Sequence, residues 1–518
     1  MASGHDGDQA AVARRLWKWC ALAAGPILFV GVLWGLRGTM GLEPAAHRVL
    51  ALGALMAWWW ITEAVPVPAT ALLPLVILPA LRVQPMHEVA VSYGDSTIFL
   101  FMGGFFLAAT MQRWGLHKRL ALHVIRLMGT NPRTLVLSFM IAAAALSMWI
   151  SNTATTLMMY PIALALVLHL GEGSAAVDER QRTRLRTALM LGVAYGSSIG
   201  GIGTLIGTPP NLIFVAQLRR LFPQAPAIGF LDWMKVGMPL VVLFLPLSWL
   251  VLTRIVLPVG KERIAGGREV LAQELAKLGR PSRGEWLVAG LFVLTALAWV
   301  GRADIDLGFL RIPGWAGLLG VGGTVNDATV AMTTAVLLFA LPVDVKKGQF
   351  LLDWETARGI PWGVLILFGG GIALAGAFEH SGLATWVAER LRSLGSLPPV
   401  LLTMLVCLTV TFLTEVTSNT AIASIFMPVL GAAAVAVRMN PLLLMVPGAI
   451  TASCAFMLPV ATPPNAVVFA SGYLTIPQMA KAGVLLNFLG VILVTLVVYA
   501  VAIPAFGIKV GQVPAWVP

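Results

Sequence analysis

Long apolar runs that do not alternate constrain this chain more than any other feature. In GMPLVVLFLPLSWLVLTRIVLP (Gly237–Pro258) the sole charge is Arg254. A segment this apolar is stable in hydrocarbon, where every backbone amide must find a partner within the protein, and only helices and closed barrels provide that. Barrel strands alternate apolar and polar residues over about ten positions, and these runs do not. The composition agrees: 58% of the residues are hydrophobic and 11% are charged, against about 45–50% and about 25% in soluble domains. Too few charges remain to solvate a water-facing surface of this size, and the hydrophobicity is too high for a disordered chain. The expected fold class is an all-α polytopic membrane protein.

The formal net charge of +12 would raise nucleic-acid binding in a soluble protein, but no basic stretch here is interleaved with aromatics. Lys and Arg gather instead between apolar runs: Arg14, Arg15 and Lys18; Arg180, Arg182, Arg184 and Arg186; and Lys261 through Arg283. That is the bias of cytoplasmic loops. Cys20, Cys407 and Cys454 sit in apolar runs at no metal-ligand spacing and read as buried free thiols. No two histidines are spaced for a metal, and His5, His117 and His123 are expected outside the hydrocarbon.

Residues 1–15 are expected to form a disordered cytoplasmic tail. The run at 16–36 is too long for a signal-peptide core and contains Trp and Lys, so it reads as a retained first helix. Several later runs are shorter than the roughly 20 residues that span a bilayer. Polar, Pro- or Asn-containing breaks join them, as in re-entrant hairpins and broken helices. The hydrophilic segment 259–285 reads as a partly helical cytoplasmic linker. It divides a first helix plus repeat 1 (16–258) from repeat 2 (286–518).

The two halves share words. SNTATTLMMYPI begins at Ser151 and SNTAIASIFMPV at Ser418; TPPN follows at Thr208–Asn211 and at Thr462–Asn465. The order is the same, and the separations are 57 and 44 residues. Two words recurring in one order indicate internal duplication. Many secondary transporters assemble a midplane site from paired broken segments of this kind.

The chemistry of these words is neutral. Ser147 precedes Ser151 by four residues and Thr414 precedes Ser418 by four, so each pair is expected on one helix face. Asn152 and Asn419 add amide oxygens. The tandem prolines are expected to stop a helix and free carbonyls around Gly207 and Ala461. Hydroxyl, amide and carbonyl oxygens are hard ligands, and without a carboxylate they suit Na⁺ better than Ca²⁺ or Mg²⁺. Helices starting at these breaks turn free amides and positive dipole ends inward, where an anion can sit. Neither motif holds Lys or Arg, so helix ends and co-bound cations must balance the anion, which gives coupling a physical basis. Glu63 reads as a hydrogen-bonding group beside the Trp58–Trp60 cluster, with a place on the pathway as the alternative. Glu415 has two readings, tuning a cation site or holding its hairpin in place. Asp95 and Glu379 are expected at span ends, and the tryptophans in packing or at the interface.

WWWITEAVPVPATALLP (Trp58–Pro74), the paired SNT and the paired TPPN together resemble the divalent anion:sodium symporter family, the INDY-type dicarboxylate, tricarboxylate and sulfate carriers, over residues 20–505. The resemblance implies an inverted-repeat ion-transporter fold with about 11 transmembrane helices and two re-entrant hairpins tipped by SNT. It also implies a plasma-membrane homodimer whose scaffold domain carries an elevator-type transport domain. Sodium site 1 would use Ser147, Ser151, Asn152 and the Gly207 carbonyl; sodium site 2 would use Thr414, Ser418, Asn419 and the Ala461 carbonyl. Substrate carboxylates would meet Ser151, Asn152, Thr153 and Thr208 from one repeat, and Ser418, Asn419, Thr420 and Thr462 from the other.

The function expected is sodium-coupled symport of C4-dicarboxylates such as succinate, malate or fumarate. A sulfate or citrate symporter, or a sodium-independent dicarboxylate exchanger, would use the same fold. In exchangers a basic side chain can stand in for sodium, and neither motif contains one. An enzyme is not expected. An intramembrane hydrolase would need a nucleophile with a His or Asp partner, which the scattered histidines do not supply. A cation/proton antiporter would carry carboxylates at its broken helices.

Overall fold

The computed structural model describes residues 3–35, 41–128, 131–172, 179–260, 267–306, 311–391 and 397–517. They are mostly helical. Two small antiparallel ribbons depart from the all-α expectation: β1 (Ile305–Asp306) with β2 (Arg311–Ile312), and β3 (Pro342–Asp344) with β4 (Gln349–Phe350). Both lie in connections between helices, where a chain reversal lets neighbouring backbone groups pair. Among the described residues, seven helical stretches are long and apolar enough to cross a bilayer, and five shorter apolar helices accompany them.

Helix α1 (Ser3–Val30) begins inside the segment expected to be disordered; its Gln-Ala-Ala-Val-Ala stretch favours a helix, and Pro26 is its first proline. Helix α2 (Pro44–Thr62) packs on α1 through the tryptophans. Trp58 and Trp59 donate their indole N–H groups to the Ala21 and Leu22 carbonyls at 2.8 and 3.3 Å, and the fully buried Trp60 donates to Val67 at 3.1 Å. The cluster is therefore packing with every indole satisfied.

Asp95 caps α3 (Ser96–Arg113) by accepting from the Thr97 amide at 2.8 Å. The amphipathic α4 (Leu116–Met128) leads to a helical hairpin, α5 (Pro132–Ser147) and α6 (Asn152–Glu172). Then α7 (Glu179–Gly200) unwinds before α8 (Pro209–Leu221), and α9 (Phe230–Leu250) closes the first half. The linker contributes α10 (Gly267–Lys277), followed by α11 (Arg283–Val300), α12 (Asp327–Ala340) and α13 (Trp362–His380). The second half repeats the plan. Its hairpin is α14 (Pro399–Thr414) with α15 (Asn419–Ala436), its broken pair α16 (Leu442–Thr451) with α17 (Pro463–Phe469), and its last long helix α18 (Ile476–Val497). Local chemistry sets these starts: Asn131 caps α5 ahead of Pro132, and Ser282 and Glu285 form a capping box on α11.

Hairpin α5–α6 is held against α7 by a stripe of small residues. Gly192, Gly196 and Gly200 recur every four positions, and a Cβ at Gly196 would lie 2.7 Å from the Met140 carbonyl oxygen, at Gly200 2.3 Å from Ala144. Lipid offers no hydrophobic drive between helices, so close backbone approach supplies the packing energy instead.

The basic loops meet at one face. Arg119 pairs with Glu285 at 2.8 Å and reaches the Leu278 and Gly279 carbonyls, Arg133 donates to Val259 at 2.7 Å, and the Gly260 amide donates to Gln181 at 3.0 Å. Basic residues that lie between the apolar runs of the sequence therefore gather on this face. Cys407 and Cys454 are buried free thiols as expected; Cys20 is exposed, because α1 lies on the outside of the bundle. His123 is exposed and His117 buried, while the side chain of His5 lies outside the described residues.

Candidate substrate and cation site

The SNT words sit at the two hairpin tips. α5 ends at Ser147 and α6 begins at Asn152, and likewise α14 ends at Thr414 and α15 begins at Asn419. Ser147 and Ser151 therefore do not share a helix face, nor do Thr414 and Ser418. Four-residue spacing brings side chains together only where the helix continues, and here each serine starts a new one. Ser151 Oγ accepts from the Ala154 amide at 3.3 Å, and Ser418 is the extended N-cap of α15. The asparagines restore the contact: Ser147 Oγ lies 2.5 Å from the Asn152 amide, and Thr414 Oγ1 donates to Asn419 Oδ1 at 2.7 Å.

TPPN begins helices rather than ending them. Thr208 and Thr462 are extended N-caps, and the prolines occupy the first turns of α8 and α17, where a missing N–H leaves nothing unpaired. The unwound backbone lies before the motif, and its fourth letter pins it. Asn211 Nδ2 donates to the Gly201 and Thr204 carbonyls at 3.0 and 2.7 Å; Asn465 Nδ2 donates to Ala455 and Leu458 at 3.2 and 3.0 Å. The targets lie ten and seven residues back in both repeats. The repeated word itself signalled this pair, which the reading of TPPN as a helix stop passed over.

Behind the first tip, one end of the Asn152 amide is surrounded by oxygens: Ser147 Oγ at 2.5 Å, and the Ser197 and Gly207 carbonyls at 3.2 Å each. An amide nitrogen at this point donates to them. An amide oxygen there brings four neutral oxygens together, a donor set that suits a hard monovalent cation. Glycine at 201 leaves the Asn152 amide its place, since a Cβ there would fall 2.5 Å from Asn152 Oδ1. Behind the second tip, Thr414 Oγ1 lies 2.7 Å from Asn419 Oδ1 and 2.9 Å from the Ala452 carbonyl. Ser197 and Ala452, at the ends of the preceding helices, were not marked by any motif.

Each tip is also joined to its break. In repeat 1 the Thr204 hydroxyl donates to the Met148 carbonyl. In repeat 2 the buried Glu415 carboxylate does this work. It accepts from the amides of Phe456 (2.6 Å), Met457 (2.9 Å) and Leu458 (3.1 Å), and from Asn487 Nδ2 (2.8 Å). Of its two readings, the geometry favours holding the hairpin in place.

Both tips and both breaks open on one cavity of about 770 Å³. Ser151, Asn152 and Thr153 line it from repeat 1 with Gly207 and Thr208; Ser418, Asn419 and Thr420 line it from repeat 2 with Ala461 and Thr462. Ser147 and Thr414 are fully buried behind the tips and do not reach it. The facing wall is Phe101 and Phe105 of α3 with Pro361 and Val364, residues that no sequence pattern marked. Among the described residues that line the cavity, Glu63, the left-handed C-cap of α2, is the one that is charged, and none is basic. It does not serve the Trp cluster, whose indoles are taken by carbonyls.

The family model described as "Sodium:sulfate symporter transmembrane region" matches residues 15–506. The chain belongs to that family. Its relatives include the sodium-dependent dicarboxylate transporter SdcS of Staphylococcus saprophyticus, 42% identical over 493 residues and covering 95% of this chain and 92% of the relative. SdcS of Staphylococcus aureus (strain NCTC 8325 / PS 47) matches with the same identity and coverage. Among solved structures, the YdaH transporter of Alcanivorax borkumensis aligns with a TM-score of 0.55 at 15% identity, covering 88% of this chain and 99% of that one. MtrF of Neisseria gonorrhoeae aligns with a TM-score of 0.53 at 15% identity, covering 81% and 85%. These two likenesses concern the fold of this sodium:sulfate symporter family member.

Proposed function

We propose that the chain is a sodium-coupled symporter of C4-dicarboxylates in a plasma membrane. The observation that carries this reading is the cavity walled by both SNT tips and both TPPN breaks, with no basic side chain among the described residues that line it. A dianion brought into such a pocket is uncompensated, and an unpaired buried charge costs several kcal/mol. Cations in the oxygen cages behind the tips offset it, so the anion site is complete only after they bind. Sodium site 1 is Ser147, Ser151, Asn152 and Gly207, joined by the Ser197 carbonyl; site 2 is Thr414, Ser418, Asn419 and Ala461, joined by the Ala452 carbonyl. The anion is held by Ser151, Asn152, Thr153 and Thr208 with Ser418, Asn419, Thr420 and Thr462. The SdcS relatives, sodium-dependent dicarboxylate transporters by name, support a dicarboxylate and sodium.

The two halves act as inverted repeats. In support, the open end of the first hairpin adjoins the basic face, whereas Gly431 in the second packs on Leu221 and Phe222, at the far end of α8. In the proposed cycle sodium orders the tips, the anion binds between them, and the hairpins with their broken helices shift as one elevator body against a scaffold within a homodimer. Uptake of labelled succinate by proteoliposomes tests this, with sodium replaced by choline. Sodium-stimulated uptake that unlabelled succinate suppresses better than citrate or sulfate is expected. Full activity in choline would refute symport.

A further inference from the structure

Below the central cavity lies a second space of about 630 Å³, walled by α3, α4, α6 and the linker helix α10. The two share a wall, since Ala154 and Leu157 line both. Along α6 that wall continues through Pro161 to Ala165, spacings of three and four that keep one helix face. Along α3 it runs from Phe105, in the upper cavity, to Gln112, in the lower one, again two turns along one face. The same two helix faces thus line both spaces, one beside the hairpin tips and one toward the basic face, and α10 walls the outer one. Two lysines stand there. Lys277 is neutralised by Glu274 at 2.5 Å. Lys118 is exposed, and among the described residues no carboxylate lies within ion-pair distance of it.

We infer that the anion reaches and leaves the cytoplasm through this passage beneath α10, and that Lys118 is the residue that steers it at the mouth. The inference rests on the dicarboxylate reading above. A cleft with low-dielectric helix walls focuses the field of an unpaired cation at its mouth and raises the local concentration of a dianion. Lys118 touches neither hairpin tip, so it acts on access to the site and not on the site itself.

The test uses the full chain in proteoliposomes of known orientation, comparing Lys118→Gln, Lys118→Glu and Lys118→Arg. Lys118→Glu is expected to raise KM for succinate at the cytoplasmic face about fivefold and Lys118→Gln about twofold, with Lys118→Arg near the unmodified value. The KM at the opposite face and the maximal rate stay unchanged. Added salt should raise the cytoplasmic KM of the unmodified chain, have little effect on Lys118→Gln and lower the raised KM of Lys118→Glu. An unchanged cytoplasmic KM in Lys118→Glu, or equal shifts at both faces, overturns the proposal. In a Cys20→Ser background, Ala165→Cys should react with an anionic, membrane-impermeant thiol reagent from the cytoplasmic side, more slowly when sodium and succinate saturate. Reaction indifferent to succinate also overturns it. If the unmodified chain takes up no succinate, the underlying reading fails instead, and the two failures are distinct.

Discussion

Replacing Glu415 separates the two roles its position allows. Its carboxylate takes four donors at 2.6–3.1 Å, three of them backbone amides of the unwound stretch between α16 and α17. Each backbone donor left buried without an acceptor costs about 1–3 kcal/mol. Glu415→Ala strands three such groups and the Asn487 amide, about 4 kcal/mol on conservative values, or about a thousandfold fewer correctly held breaks. Glu415→Gln keeps one oxygen but turns an NH₂ toward donors, for about 2 kcal/mol and about a 30-fold loss. In repeat 1 the equivalent joint is a single neutral hydroxyl bond from Thr204, so Thr204→Val should lose about 1 kcal/mol and about fivefold. The assay is initial-rate succinate uptake at saturating sodium, normalised to protein that elutes as a single folded species. Residual activity in Glu415→Gln should keep the sodium half-saturation of the unmodified chain. Activity within twofold of unmodified, or a shifted sodium affinity with unchanged maximal rate, would refute the joint and favour a cation-tuning role.

Asn211→Ala and Asn465→Ala remove equivalent staples of the two breaks, and each should depress the maximal uptake rate about tenfold or more, through two lost buried bonds apiece; equal activity in either would contradict the symmetry of the repeats. Gly200→Leu places a side chain where the Ala144 backbone already lies, so the variant should lose thermal stability in detergent and sodium-stimulated uptake together, while Gly290→Leu, with open space around it, should match the unmodified chain. Arg119→Gln breaks the tie from α4 to Glu285 and the linker carbonyls; a melting temperature lowered by a few degrees, for about 1–2 kcal/mol, with unaltered sodium affinity, is the expected pair of readings.

Much of this architecture was legible because solvent dictates it. A chain this apolar has to be helical in lipid, and the duplicated words located the hairpin tips and the breaks to the residue. What spacing misjudged was local direction. Ser147 and Ser151 looked like one helix face, yet a serine before Asn152 caps a new helix. The tandem prolines looked like a stop, yet proline is as suited to a first turn, and Thr208 and Thr462 make it one. The Ser197 and Ala452 carbonyls and the Phe101–Phe105 wall carry no pattern, because backbone carbonyls are the same in every residue and apolar walls are common in any span. Glu415 was noticed as a charge near a motif, but its four donors come from residues 41 to 72 positions away, beyond the reach of local reasoning.

The sodium dependence of uptake bears most directly on the two-cage account, read in Ser147→Ala and Thr414→Val, whose side chains lie behind the tips and outside the cavity. For the unmodified chain the isotherm should be sigmoidal, with a Hill coefficient approaching two as two cations bind before one anion. Each variant should flatten it toward one and raise the half-saturating sodium about tenfold, about 1.4 kcal/mol, while KM for succinate at saturating sodium changes little. Sodium isotherms in both variants that superimpose on that of the unmodified chain would contradict it.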